Sequence, residues 1–369
     1  MKIICKKNDL SESIGIVLKA VPSKTTMPIL ECLVIEVSDN IKLITNDMEI
    51  GIETLVEGDI IEKGSIAINA KVFSEIIRKL PDDEVVIESD YDYNTTIKCG
   101  KAKFNILGKR ADEFPSLPSI TKSNSIVISE FSLKEIIRQT VFSIADNENN
   151  KIMTGELFEI ENNDTLKVVS LDGHRISIRK IKLAGNYDNT SVIVPGKTLV
   201  EISKILSGGI EDMVNIFISD KHILFEFGST IVLSRLIEGE YFKINKMISN
   251  DYECKVTINK KEFLDCIDRA TLLIRESDKA IIININDGNM ELKVNSVIGS
   301  MNEDIDINKE GIDIVIGFNP KYLIDALRVI DDEEVDIYLF NPKAPCFIKD
   351  KDESYIYLIL PVSIKSSDN

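Results

Sequence analysis

The sequence predicts an α+β fold of three repeated units, each with two helices packed on antiparallel sheets. Three observations predict it. An amphipathic segment opens at Asn69-Ala70-Lys71, at Pro195-Gly196-Lys197 and at Asn319-Pro320-Lys321, so that the lysines recur 126 and 124 residues apart. A second amphipathic segment opens each unit, starting at Leu10, Leu133 and Phe263. A turn and a β-rich run follow the lysine-marked segment every time. One third of the 369-residue chain is 123 residues, the size of a domain with its own core and far longer than a solenoid repeat.

The elements follow in the same order in each unit. The opening helix places Leu10, Ile14, Val17, Leu18 and Val21 on one face, matched by Leu133, Ile137, Thr140, Val141 and Ile144, then by Phe263, Ile267, Ala270, Thr271 and Ile274. Steps of three and four residues define such a face. Strands of alternating character come next, such as residues 41–45 and 290–294. Runs at 65–68, 191–194 and 312–318 lead into the second helix. Its apolar face is Val72, Phe73, Ile76, Ile77 and Leu80, then Thr198, Leu199, Ile202, Ser203 and Leu206, then Tyr322, Leu323, Ala326, Leu327 and Ile330. Turns at 81–84, 208–209 and 331–334 precede strands at 85–88, 214–218 and 335–340. The expected domains are 1–120, 121–248 and 249–369, the first ending after the proline-punctuated connector at 114–118.

Sixty-one acidic and 44 basic side chains leave a formal charge of −17, which argues against a simple basic-patch nucleic-acid binder. A hydrophobic content of 44% argues against disorder. The start of the chain lacks the apolar stretch of a signal peptide, and no apolar run approaches a membrane span. The six cysteines are scattered without a C-x-x-C pair, and two histidines give no zinc spacing, so buried thiols in a reducing cytoplasm are expected, with no metal or cofactor.

Three like α+β domains present like sheet edges at both ends, and head-to-tail pairing of identical subunits closes a ring where the rotation permits. The helices of such a ring all face in or all face out. Their polar positions mix lysines and arginines with Glu75, Glu135, Glu201, Glu262, Asp265 and Asp325. That mixture reads either as a solvated face or as a thinly basic lining within an acidic shell.

The chain resembles the bacterial sliding clamp, the β subunit of DNA polymerase III, over residues 1–364. The resemblance rests on Met27-Pro28-Ile29-Leu30, on Asp172-Gly173-His174-Arg175 with Val192-Ile193-Val194-Pro195, and on Ile316-Gly317-Phe318-Asn319 with Leu358-Ile359-Leu360-Pro361-Val362. Each tetrapeptide is common, but their order and spacing over a triplicated chain are specific. The family implies three DNA-clamp domains in a head-to-tail homodimeric ring, with twelve helices lining a channel around duplex DNA. It implies no catalysis. The ring tethers the polymerase III catalytic subunit, other polymerases and repair proteins through short linear motifs, and a separate clamp loader opens it. A tether that slides must enclose DNA while touching phosphates weakly, because each strong contact adds a salt-dependent binding term.

The resemblance further implies a peptide-binding pocket of Met153, Leu171, Gly173, His174, Arg175, Ile176, Met247, Leu358, Leu360, Pro361 and Val362, in which apolar side chains take leucine and aromatic anchors and Arg175 fixes the peptide's direction. Phe242 stands where the family has a pocket proline, Ser363 replaces a basic residue of some members, and residues 365–369 extend past the usual end. For DNA, the matched positions are Lys24, Asn147, Lys151 and Lys197, with Lys71 and Arg78 beside them. Aromatic residues found near Lys151 in some members are absent. The implied dimer contact joins Phe104 and Ile106 to Leu272 and Leu273. Taken alone, Phe104 and Ile106 are ordinary alternating strand residues, and 358–362 a closing edge strand.

Two competing readings come from other classes: a hydrolase using Asp172 to orient His174, and a ring scaffold that binds only proteins. No serine or cysteine stands in a nucleophile context beside that pair. Without either role, the segment is a turn stabilised by Asp and Gly. Pro195-Gly196-Lys197-Thr198 looks like the end of a phosphate-binding loop, but Ser191 takes the place of its first glycine. The Asn-x-Ser/Thr sequences at Asn94, Asn163 and Asn189 carry no meaning in a cytoplasmic protein.

Overall fold

All six amphipathic segments fold as α-helices: α1 Lys7–Val17, α2 Ala70–Lys79, α3 Glu130–Thr140, α4 Gly196–Ile205, α5 Lys260–Thr271 and α6 Pro320–Val329. The computed structural model describes residues 1–146, 150–249, 251–274, 280–350 and 352–364. Asparagine caps recur at the helix starts. Asn69, Asn259 and Asn319 each accept a backbone N–H of the first turn, from Val72, Glu262 and Lys321 at 3.0, 3.0 and 3.1 Å. Apolar faces turn inward as their spacing dictates: Phe73 and Ile77 from α2, Phe263, Cys266 and Ile267 from α5, Leu323 and Leu327 from α6.

The strands pair antiparallel in four sheets. One compact unit comprises Met1–Lys134 and Val200–Leu236, the other Glu135–Leu199 and Ile237–Asn369. The first holds a five-stranded sheet ordered Asp59–Glu62, Lys2–Lys6, Glu84–Ser89, Asn94–Cys99, Ala102–Leu107. It also holds an eight-stranded sheet in which Thr230–Arg235 pairs with Ile50–Val56, 176 residues earlier at the Thr54 and Thr230 hydroxyls, which meet at 2.8 Å.

The second unit holds a four-stranded sheet ending at Gly299–Asp306 and a nine-stranded one. In the nine-stranded sheet, Arg175–Lys182 pairs with Tyr355–Ile359. The central third of the chain therefore contributes strands to both units. Three repeats in the sequence become two compact bodies because main-chain ladders run on through the junctions.

The connector after Phe114 is not a free linker. Leu117 and Ile120 pack on Phe217, Leu224 and Leu233, and a side chain at Gly51 would occupy the space of Leu117. Among the described residues no helix is long and apolar enough to cross a membrane, and no group of His, Cys, Asp and Glu could hold a metal ion. All six cysteines are free and buried, and burial pushes the Cys5 and Cys266 thiols up to about 12, which leaves them unreactive at neutral pH.

Candidate peptide-binding site

In the second unit the period of two along each strand sorts side chains onto two faces. Register sets Leu171 beside Ile176 and Ile176 beside Leu358. These three join Leu157, Val169, Ile178, Phe347 and Ile356 in one apolar cluster, with Met153, Tyr241, Phe242, Ile248 and Tyr338 packed on its margin. Phe242, standing in the proline's position, thus contributes a ring to the cluster. Tyr241 anchors that segment: its hydroxyl donates to the Val169 carbonyl at 3.2 Å, and burial, then the nearby Glu156, pushes its pKa up, so the donor proton is retained.

The turn at 172–175 closes one end. Asp172 Oδ1 accepts the backbone N–H of His174 at 3.0 Å and of Arg175 at 3.2 Å. Gly173 has φ +89° with open space around it, so the glycine serves the backbone conformation rather than packing. The His174 ring is exposed and stacks on Tyr322 at 6.1 Å. Its carbonyl accepts the N–H of Leu360 at 2.8 Å, and the Val362 N–H donates to Gly317 at 2.9 Å, which fixes the C-terminal segment as a wall. Leu360 is partly exposed, and Pro361 and Val362 are half-buried.

Two expected members lie outside the apolar cluster. Met247 is 55% exposed and outside the cluster, where its neighbour Ile248 packs instead. Arg175 adjoins Ile176 in the strand and therefore points to the other face, where it is 5% exposed. Its Nε donates to Asp172 at 2.9 Å, Nη1 to Asp325 at 2.6 Å, and Nη2 to the Phe142 carbonyl, while its guanidinium lies 4.6 Å from the Tyr322 ring centroid. With these donors engaged inside the fold, Arg175 holds the turn from the face opposite the apolar cluster. The same contacts undercut the hydrolase reading, since the Asp172 carboxylate serves Arg175 and the backbone rather than the imidazole of His174.

The cluster also holds Ile244, and sequence reasoning singled out neither it nor Tyr241, Ile248, Leu157 and Phe347 for this place. Strand parity with Leu171 and Leu358 was the available signal for Leu157 and Phe347.

Of the residues matched for DNA, Lys24, Lys71 and Arg78 lie exposed in the first unit, with Arg78 paired to Glu75 at 2.6 Å. Lys151 and Lys197 lie exposed in the second, and Asn147 falls outside the described residues. Gly196 opens α4 where a side chain would collide with Ile144, a packing reason with no phosphate in it. At the sheet edges, Phe104 is 39% exposed on the edge strand Ala102–Leu107, with Ile106 half-buried beside it. Leu272 is 77% exposed just after α5, and Leu273 packs against the core of the second unit.

Family models for the DNA polymerase III beta subunit match the chain three times: the N-terminal domain over residues 1–118, the central domain over 127–243 and the C-terminal domain over 245–363. The beta sliding clamp of Bacillus subtilis is 38% identical over 377 residues, covering 98% of this chain and 99% of the relative. A crystal structure of the Bacillus subtilis clamp aligns with TM-score 0.95 over 99% of this chain and all of that one. A crystal structure from Eubacterium rectale, assigned as a DNA polymerase III beta subunit, aligns with TM-score 0.96 at 63% identity, over 98% of this chain and 99% of that one.

Proposed function

This chain belongs to the DNA polymerase III beta-subunit family, the beta sliding clamps, and from that premise we propose that two copies close head to tail around duplex DNA. The protein is a DNA sliding clamp, a non-catalytic processivity factor. The observation that carries the reading is the unbroken succession of three beta-subunit domains along one chain. In the proposed ring the edge strand Ala102–Leu107 of one copy meets the end of α5 and the edge strand Gly299–Asp306 of the other. Phe104, Ile106, Leu272 and Leu273 form the contact. The domains run from 1 to 120, 121 to 248 and 249 to 369.

Enclosure needs no sequence readout, so Lys24, Lys71, Arg78, Asn147, Lys151 and Lys197 touch phosphates weakly enough for sliding. The apolar cluster beside turn 172–175 takes leucine and aromatic anchors of client proteins: the polymerase III catalytic subunit, the clamp loader, other polymerases and repair proteins. Met153, Leu171, Ile176, Phe242, Leu358 and Leu360 supply apolar surface, Gly173, His174, Pro361 and Val362 shape the rim, and Met247 lies at its outer margin. The work is done in the cytoplasm.

The deciding experiment loads the protein onto nicked circular DNA and then linearises it. Retention on the circle with loss from the linear form is the expected result. Equal loss from both rejects enclosure.

A further inference from the structure

Asp325 lies on α6, on the helix side of the nine-stranded sheet, whereas the apolar cluster occupies the opposite face. A chain of short contacts nonetheless joins them. Asp325 Oδ2 accepts from Arg175 Nη1 at 2.6 Å, and Arg175 Nε donates to Asp172 Oδ2 at 2.9 Å. The other oxygen of Asp172 holds the N–H groups of His174 and Arg175, and the His174 carbonyl receives the N–H of Leu360 at 2.8 Å.

We propose that Asp325 is a positioning residue for client-peptide binding, acting through Arg175 on the 172–175 turn and so on Leu360. The proposal rests on the reading of the apolar cluster as the client pocket. The physical reason is the planar guanidinium, whose bonds to Asp172, Asp325 and the Phe142 carbonyl, with the Tyr357 hydroxyl beside it, fix its plane. At 5% exposure it carries a charge that two carboxylates balance. Removing the Asp325 charge leaves a nearly buried cation balanced by one carboxylate, so it tilts toward water and drags Asp172 with it. The turn loosens, the His174 carbonyl moves, and the tail loses its register against the pocket. Asp325 is itself only partly buried, which makes its removal tolerable to the fold.

The test uses the full chain, a fluorescein-labelled peptide with leucine and phenylalanine anchors, and amide hydrogen exchange. Asp325→Asn should raise the peptide Kd by about tenfold, and Asp325→Glu should restore it to within about twofold. Exchange at the Leu360 amide should accelerate in Asp325→Asn while that at Val362, which donates to Gly317, stays unchanged. Wild-type affinity with unchanged Leu360 exchange overturns the proposal, as does equal acceleration at both amides, which marks general loosening. If the unsubstituted protein fails to bind the peptide, the pocket reading falls, and the Leu360 exchange still decides whether Asp325 positions the tail.

Discussion

The backbone N–H of Leu360 donates to the carbonyl oxygen of His174 at 2.8 Å, and this bond joins the C-terminal segment to the turn at 172–175. It lies one residue beyond the ladder in which Arg175 faces Ile359, so the tail continues the strand pairing past its end. The wall it makes is held by main chain, while its side chains remain partly open.

Deleting residues 360–369 should therefore abolish binding of an anchor peptide and leave the dimer assembled. The strand Tyr355–Ile359 keeps its ladders on both sides, so the core survives the cut. Fluorescence anisotropy reads the first effect and sedimentation velocity the second. An unchanged peptide affinity rejects the pocket.

The helices and the repeat were legible in the sequence because a face of Leu10, Ile14 and Val17 or of Leu323 and Leu327 repeats locally. The sheets were not. That Thr230–Arg235 would pair with Ile50–Val56 depends on a ladder between segments far apart in the chain, which alternation alone does not specify. Of the residues that the resemblance implies for the site, Leu171, Ile176 and Leu358 come together in one apolar cluster, because their strands are neighbours and their side chains share a face. Arg175 sits next to Ile176 in the strand and so on the opposite face, where Asp172 and Asp325 engage its guanidinium. Ile248 packs on the cluster while Met247 is exposed, because the segment at 241–248 folds irregularly and no period says which side chain turns in.

Leu272→Ala should weaken the dimer without destabilising the isolated chain, since the side chain is 77% exposed in one copy. Burial of a leucine contributes about 1.5–3 kcal/mol, and a two-interface ring loses that twice. Sedimentation velocity should show a shift toward monomer that deepens when Phe104→Ala is added. An undisturbed dimer would remove both residues from the contact. Leu273 is a poorer test, because it also packs against the core.

Glu156 gives the stability of the fold a pH dependence. It is fully buried on Gly155–Glu161, and burial holds its pKa well above the ordinary value of 4.5 despite the hydrogen bond with Thr140. The Thr140 hydroxyl lies 2.7 Å from the Ile136 carbonyl and 3.0 Å from Glu156 Oε2, and it has one proton to give. With that proton on Ile136, a protonated Glu156 supplies the second bond. The folded state thus holds a proton that the unfolded chain releases near 4.5. The stabilisation is complete below that pH and is lost as pH rises toward the folded pKa. Glu156→Gln should raise the Tm at pH 8 more than at pH 5. A Tm difference that does not vary with pH means that Glu156 is charged in the fold.

Lys24 and Lys151 are exposed and belong to different compact units, so each can be removed with no loss of core. If each neutralises one phosphate, alanine at either position should lower the slope of log K against log salt by about one for open, unloaded binding to duplex DNA. Retention on a closed circle should barely change, because topology rather than counterion release holds the ring there. Filter binding across a salt series reads the slope, and gel filtration of loaded circles reads the retention. Loss of retention in parallel with the slope would mean that contact, not enclosure, keeps the clamp on its template.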